Sequence, residues 1–307
     1  MPAPASPAAP ASQMSLRIWV MLFALGLLWG GSFFFSAVAV TEIPPLVLVL
    51  FRVALAAAAL HLYLAVRGPS FRLALPLAGS FLVLGLINNV IPFSLMFLGQ
   101  TEIGAGLAAV LNATTPFWTV ILANSLTQDE KFTRAKLAGI LLGIFGTAVM
   151  IGPGLLTGLG GPAWAKLCLI GTALSYAFSA LFARRFRALP PAIVATGQLT
   201  ASSLIMIPVI LLLFGPAALL VGSAPIWAAV LALAVISTAF AYILYFTIIA
   251  SAGATNASLV TLLVPMSAIL LGAIFLGERL ESFELAGMGL ILVGLLVIDG
   301  RIFRRRG

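Results

Sequence analysis

Charge is scarce in this sequence. Only 8% of its 307 residues are Asp, Glu, Lys or Arg, against 62% that are hydrophobic. A water-soluble domain of that length could not cover its surface with so few ionised groups. Cysteine is nearly absent: Cys168 stands alone, which rules out an internal disulfide and a thiolate metal cluster. One histidine, His61, is too few for a His-rich metal site. None of the eight acids falls at the centre of an apolar run. There is no GxxxxGK[ST] phosphate loop and no HExxH pair, and His61 has no evident catalytic partner. ATP-driven pumping by this chain alone and hydrolytic chemistry therefore find no support. The expectation is a protein that is not an enzyme and carries no cofactor and no metal.

What the chain does have is a series of apolar runs of about 20 residues, each long enough to cross a bilayer. They are continuous, unlike the short alternating segments of a membrane β-barrel. The fold class expected is an all-α polytopic membrane protein with ten transmembrane helices. The spans fall at about 16–36, 45–66, 74–98, 103–126, 134–151, 164–183, 191–214, 225–249, 252–276 and 283–299. Breakers such as Pro44-Pro45, Gly152-Pro153-Gly154, Pro190-Pro191 and Gly215-Pro216 separate most of them. Residues 1–14, rich in Pro, Ala and Ser, lack the charged start of a signal peptide and read as a disordered tail.

The chain also repeats itself. Gly104-Ala105, Ala108, Pro116, Glu130, Leu137-Ala138-Gly139 and Gly146 return in the same order. Their later counterparts are Gly253-Ala254, Ala257, Pro265, Glu278, Leu285-Ala286-Gly287 and Gly294. A period of half the chain divides it into a first five-helix repeat at 15–152 and a second at 153–300, with a basic tail at 301–307. In the second spans of the two repeats, Pro44-Pro45 matches Pro190-Pro191 and Arg52 matches Gln198; Trp29 matches Tyr176 in the first spans.

Basic residues set the orientation. With a cytoplasmic N-terminus, 13 of the 16 Lys and Arg lie on the inner side, so both termini are expected in the cytoplasm. The net charge of +8 is thus read as topology rather than as a nucleic-acid surface. Five spans per repeat make the two repeats enter the membrane from opposite sides. That inverted plan recurs in secondary transporters, whose solute site lies near the midplane between the repeats.

Several blocks carry a resemblance. Trp29-Gly30-Gly31-Ser32-Phe33 in the first span and Phe51-Arg52 in the second are followed late in the chain by Leu263-Val264-Pro265, Leu276-Gly277-Glu278-Arg279 and Leu285-Ala286-Gly287. With them the chain resembles the drug/metabolite transporter superfamily, in particular its EamA-type ten-helix exporters, and most of all bacterial exporters of aromatic amino acids. The resemblance implies a basket-like bundle in the bacterial inner membrane, with spans 1, 3, 4, 6, 8 and 9 around a central cavity. It further implies export of amino acids or related small metabolites by alternating access, with a small-molecule solute and membrane lipids as partners. The first repeat departs from the pattern where Gln128-Asp129-Glu130-Lys131 stands for Leu276-Gly277-Glu278-Arg279.

A polar side chain in hydrocarbon needs a partner or a watery cavity, so polar residues within spans mark candidate sites. Span 3 offers Asn88 and Asn89, and span 4 places Asn112 and Thr115 on one helical face. Span 6 offers Tyr176 and Ser179, and span 8 offers Thr238 and Tyr242. With Trp29, whose ring suits planar or cationic solutes, these nine form the expected binding set. Packing between helices is the competing reading for the small and hydroxyl residues. Pro92, Pro116 and Pro265 each remove a helix hydrogen bond and are expected hinges or gates. Arg52 either snorkels outward or meets carbonyls or a solute carboxylate. Gly139, Gly143 and Gly146 suit a scaffold contact or a dimer, in a protein otherwise expected to be a monomer. Lacking a buried acid, the transporter is expected to be facilitated. A channel-like pore, or an exporter of cationic drugs or nucleotide derivatives, is the alternative.

Overall fold

The computed structural model describes residues 15–126, 134–157, 160–252 and 260–299. The expected tails at 1–14 and 301–307, the 128–131 turn and the repeat markers Gly253, Ala254 and Ala257 lie outside the described residues. Every described element of secondary structure is helical. Seven stretches are long and apolar enough to cross a membrane, and three shorter apolar helices, Leu137–Val149, Leu263–Leu276 and Ser282–Val297, accompany them.

Helix α1 (Leu16–Ala39) begins where Ser15 Oγ accepts a hydrogen bond from the Ile18 amide. α2 (Pro45–Arg67) and α9 (Pro191–Leu213) both start on the second residue of a Pro-Pro pair. A proline there loses nothing, because first-turn amides have no partner in the helix. The third apolar segment is α3 (Ala78–Gly85), a π-helical turn at Leu86–Val90, and α4 (Ile91–Gly99). Pro92 accounts for that wide turn: its ring would collide with the Asn88 carbonyl in an uninterrupted helix.

The fourth apolar stretch, expected as one helix, is divided into α5 (Ala105–Asn112) and α6 (Thr115–Leu126). Pro116 cannot donate to the Asn112 carbonyl four residues back, and Thr115 Oγ1 donates to it instead at 2.7 Å. α7 (Arg134–Thr157) and α8 (Ala163–Phe182) follow. Beyond α9 come α10 (Ala224–Leu231), a second π-helical segment at Ala232–Phe240, and α11 (Ala241–Ala252). The last helices are α12 (Val260–Leu276), with Pro265 inside it, and α13 (Ser282–Asp299).

Contacts between the halves come in matching sets. α2 packs on the second π segment and α9 on the first. α1 packs on α12, α10 and α11, while α8 packs on α5, α6 and α4. The pairs α2–α9, α5–α12 and α7–α13 join equivalent helices. At the α1–α12 crossing a Cβ on Gly30 would lie 2.5 Å from Ser267 Cβ and 2.9 Å from the Val264 carbonyl oxygen. Only glycine permits that approach.

The glycines of α7 are used inside the chain. Gly146 faces the Gly287 carbonyl, Gly143 faces the Phe117 ring, and Gly294 of α13 meets Gly139. That surface packs within the chain on α13 and α6. Leucines such as Leu212 and Leu220 project from the outside of the bundle, as lipid contact requires.

Candidate functional site

The two π-helical segments position the centre of the molecule. A π turn carries an extra residue, so it turns adjacent side chains toward different neighbours. Asn88 faces inward, where its Nδ2 donates to Gln198 Oε1 at 2.8 Å and its Oδ1 accepts from Ser179 Oγ at 2.6 Å. Asn89, next to it, is fully buried against α9 and donates to Ser202 Oγ at 3.0 Å. In the second half, Thr238 Oγ1 donates to the Leu233 carbonyl five residues back and accepts from Arg52 Nε at 3.1 Å.

These groups surround a cavity of about 690 Å³, a volume suited to a small organic solute. Trp29, Asn88, Asn112 and Thr115 line it from the first half, and Tyr176, Ser179, Thr238 and Tyr242 from the second. Asn89 is the one member of the expected set that does not, being spent on the contact between the π turn and α9. Pro116 lies on the cavity wall, whereas Pro92 and Pro265 do not. The Pro92 carbonyl accepts from Thr172 Oγ1, and the Ile87 carbonyl, loosened by the π turn, accepts from Ser175 Oγ at 2.6 Å. Those two hydroxyls join α8 to the third apolar segment, whereas Thr119 donates to the Thr115 carbonyl within its own helix.

The second spans contribute more than the sequence led us to expect. Gln198 joins Asn88 in the wall, and Tyr242 lines the cavity with them. Arg52 does not snorkel outward: it is 5% exposed, and its guanidinium lies 3.8 Å from the centroid of the Phe93 ring. One signal points to both residues, namely that Arg52 and Gln198 stand at matching places in the second spans of the two repeats. Trp29 stacks obliquely on Tyr245, 5.1 Å between centroids, and adds aromatic wall. His61 stays outside, 2.9 Å from Thr200 Oγ1 in the α2–α9 contact.

The cavity extends to Arg184, Arg187 and Leu189, at the end of the bundle where α8 turns into α9. At the opposite end, the described connections carry Glu42, Glu102, Glu278 and Glu281 and are tied across the halves. Glu278 accepts from the Ala105 and Gly106 amides at 2.8 and 3.1 Å, capping α5. Glu42 accepts from the Ser223 amide and hydroxyl, and Lys166 stands 4.0 Å from Glu284. Nothing among the described cavity-lining residues is acidic.

Comparison with known proteins gives this arrangement a setting. The sequence profile described as the EamA-like transporter family matches twice, over residues 17–152 and 163–299. The chain is 23% identical to "Uncharacterized transporter YoaV" of Bacillus subtilis, over 95% of this chain and 99% of that protein. It is 26% identical to "Uncharacterized inner membrane transporter YedA" of Escherichia coli K12, over 92% and 90%. "Probable amino-acid metabolite efflux pump" of Escherichia coli K12 is also 26% identical, over 92% and 95%. A solved crystal structure, 20% identical, superposes with a TM-score of 0.66 over 94% of this chain and 99% of that one, a likeness of fold alone.

Proposed function

The chain belongs to the EamA-like transporter family and is an integral protein of the bacterial inner membrane, and we propose that it exports amino acids, chiefly aromatic or apolar ones, or closely related small metabolites. The observation that carries this reading is the central cavity, walled by rings and amides from both halves and reaching the end of the bundle where α8 turns into α9. A relative described as an amino-acid metabolite efflux pump supports the choice of solute class. The tie from Glu278 to α5 at the far end favours a carrier over an open channel.

Ten spans in two inverted repeats, with both termini cytoplasmic, complete the proposal. The matched packing of α1 on α12 and α8 on α5 and α6 supports it, since five helices per half reverse the direction of entry. The cavity then faces the cytoplasm, the side from which an exporter loads. Transport proceeds by alternating access without a proton-carrying acid in the cavity. Trp29, Tyr176 and Tyr242 hold the solute's planar or apolar part, while Asn88, Asn112, Thr115, Ser179 and Thr238 offer polar contacts. Asn89 supports the wall from behind. Pro92, Pro116 and Pro265 are where the helices would flex.

Counterflow of labelled phenylalanine or tryptophan into proteoliposomes tests this. Saturable flux, competed by unlabelled amino acid and reduced at least tenfold by Trp29→Ala or Tyr242→Ala at unchanged protein yield, is the expected result. Unsaturable ohmic current would establish a channel instead. A strong dependence on an imposed pH gradient would refute the facilitated mechanism.

A further inference from the structure

We propose that Arg52 anchors a carboxylate of the solute, so that the cavity takes aromatic or apolar carboxylates in preference to the corresponding amines. This rests on the transport reading only for the claim that what binds is also carried.

A guanidinium has five N–H donors. That of Arg52 makes one hydrogen bond, from Nε to Thr238 Oγ1, and its Nη1 is buried without a partner among the described residues. Its face is covered by Phe93, with Phe97 further off, so its environment is apolar on one side and open to the cavity on the other. A buried cation without a counter-ion is costly. The carboxylates at the acidic end do not supply one: Glu278 holds the α5 amides, Glu42 holds Ser223, Glu284 faces Lys166, and Glu102 and Glu281 are exposed at the surface. The missing negative charge is thus left to a ligand, and a carboxylate fits the guanidinium fork with two parallel hydrogen bonds.

The remaining wall sets what is attached to that carboxylate. The cavity amides Asn88 and Gln198 already bond each other, and Asn88 also accepts from Ser179. Trp29, Tyr176, Tyr242 and Tyr245 offer ring surface for an apolar body. An ammonium group finds no carboxylate among the described cavity-lining residues. The buried Oδ1 of Asn112, without a partner in the structure, is a neutral acceptor that can accept from the ammonium of an amino acid but cannot replace a counter-charge. Arg184 and Arg187 where the cavity reaches the basic end add a positive field that favours anions.

The test is a charge series on one skeleton, read by calorimetric titration of the full chain in detergent: 3-phenylpropionate, L-phenylalanine and phenethylamine. Both carboxylates should bind, and phenethylamine should bind at least about tenfold more weakly, the worth of a charged hydrogen bond. Arg52→Gln should weaken 3-phenylpropionate by about tenfold or more, with Arg52→Lys intermediate and phenethylamine unaffected. Equal affinity for phenethylamine and 3-phenylpropionate would overturn the proposal, as would failure of both carboxylates to bind. So would unchanged affinity in an Arg52→Gln protein that elutes as a single species. Should that variant not fold, the wild-type series still decides. Binding that depends on Arg52 without counterflow of these compounds would leave the anchor standing and overturn their export.

Discussion

The two halves of this molecule share a scaffold and differ in the chemistry they hang on it. Each has a second span opening on a proline pair and a third interrupted by a π-helical segment, and each second span lies on the π segment of the other half. The first half places amides on its π turn, Asn88 and Asn89, and the second places hydroxyls, Ser237 and Thr238. The first half sends Arg52 across to Thr238, whereas the second sends Gln198 across to Asn88. The span carrying Pro116 divides into two helices, but the one carrying Pro265 is a single helix over its described length. Repetition accounts for the packing; departure from it concentrates one positive charge on one side of an otherwise neutral centre.

That contrast can be broken most strongly where the halves touch. Gly30 and its counterpart Ala177 both lie on helices packed against the other half, yet only Gly30 has no room for a Cβ. Gly30→Ala should cost about 2 kcal/mol by forcing α1 from α12, while Ala177→Gly should cost about 1 kcal/mol or less through backbone freedom alone. Thermal unfolding in detergent would rank them, and equal losses would refute the claim that the crossing differs between halves.

A smaller effect separates neighbours on one π turn. Asn88→Ala should reduce counterflow several-fold by freeing Gln198 and Ser179, with modest loss of stability. Asn89→Ala should lower the unfolding temperature through loss of its bond to Ser202 and leave flux within about twofold. A flux defect confined to Asn89→Ala would reverse their roles. The smallest change expected is Glu278→Gln, which keeps the side chain's size but removes its charge from the start of α5. About 0.5–1 kcal/mol of stability should be lost, and less at high salt. An unfolding temperature unaltered at low salt would show that the charge does not matter there.

Much of the architecture is legible in the residues, because breakers between apolar runs and a half-chain period survive any detail of packing. The inner wall is less so. In water, a helix's buried face announces itself by its apolar stripe; in a bilayer both lipid and protein interior are apolar, so the stripe vanishes. Asn88 and Asn89 look alike in sequence for that reason, and a π turn decides which of them sees the cavity. Depth alone leaves Arg52 open between two orientations, since snorkelling requires only a long side chain and inward burial requires partners that are distant in sequence, Phe93 and Thr238. The break at Ala113–Thr114 follows from Pro116, whose effect on its helix depends on whether a nearby hydroxyl can take the abandoned carbonyl.

Glu278 gives the acidic end of the bundle a thermodynamic character. Two backbone amides of one half are held by one carboxylate of the other, so parting that contact exchanges polar bonds for water and uncovers little oily surface at that point. Heat capacity tracks the apolar area exposed, and the release of this contact should therefore contribute little to it. Its equilibrium would shift gently with temperature and respond more to ionic strength, as a catch made of charge and dipole does.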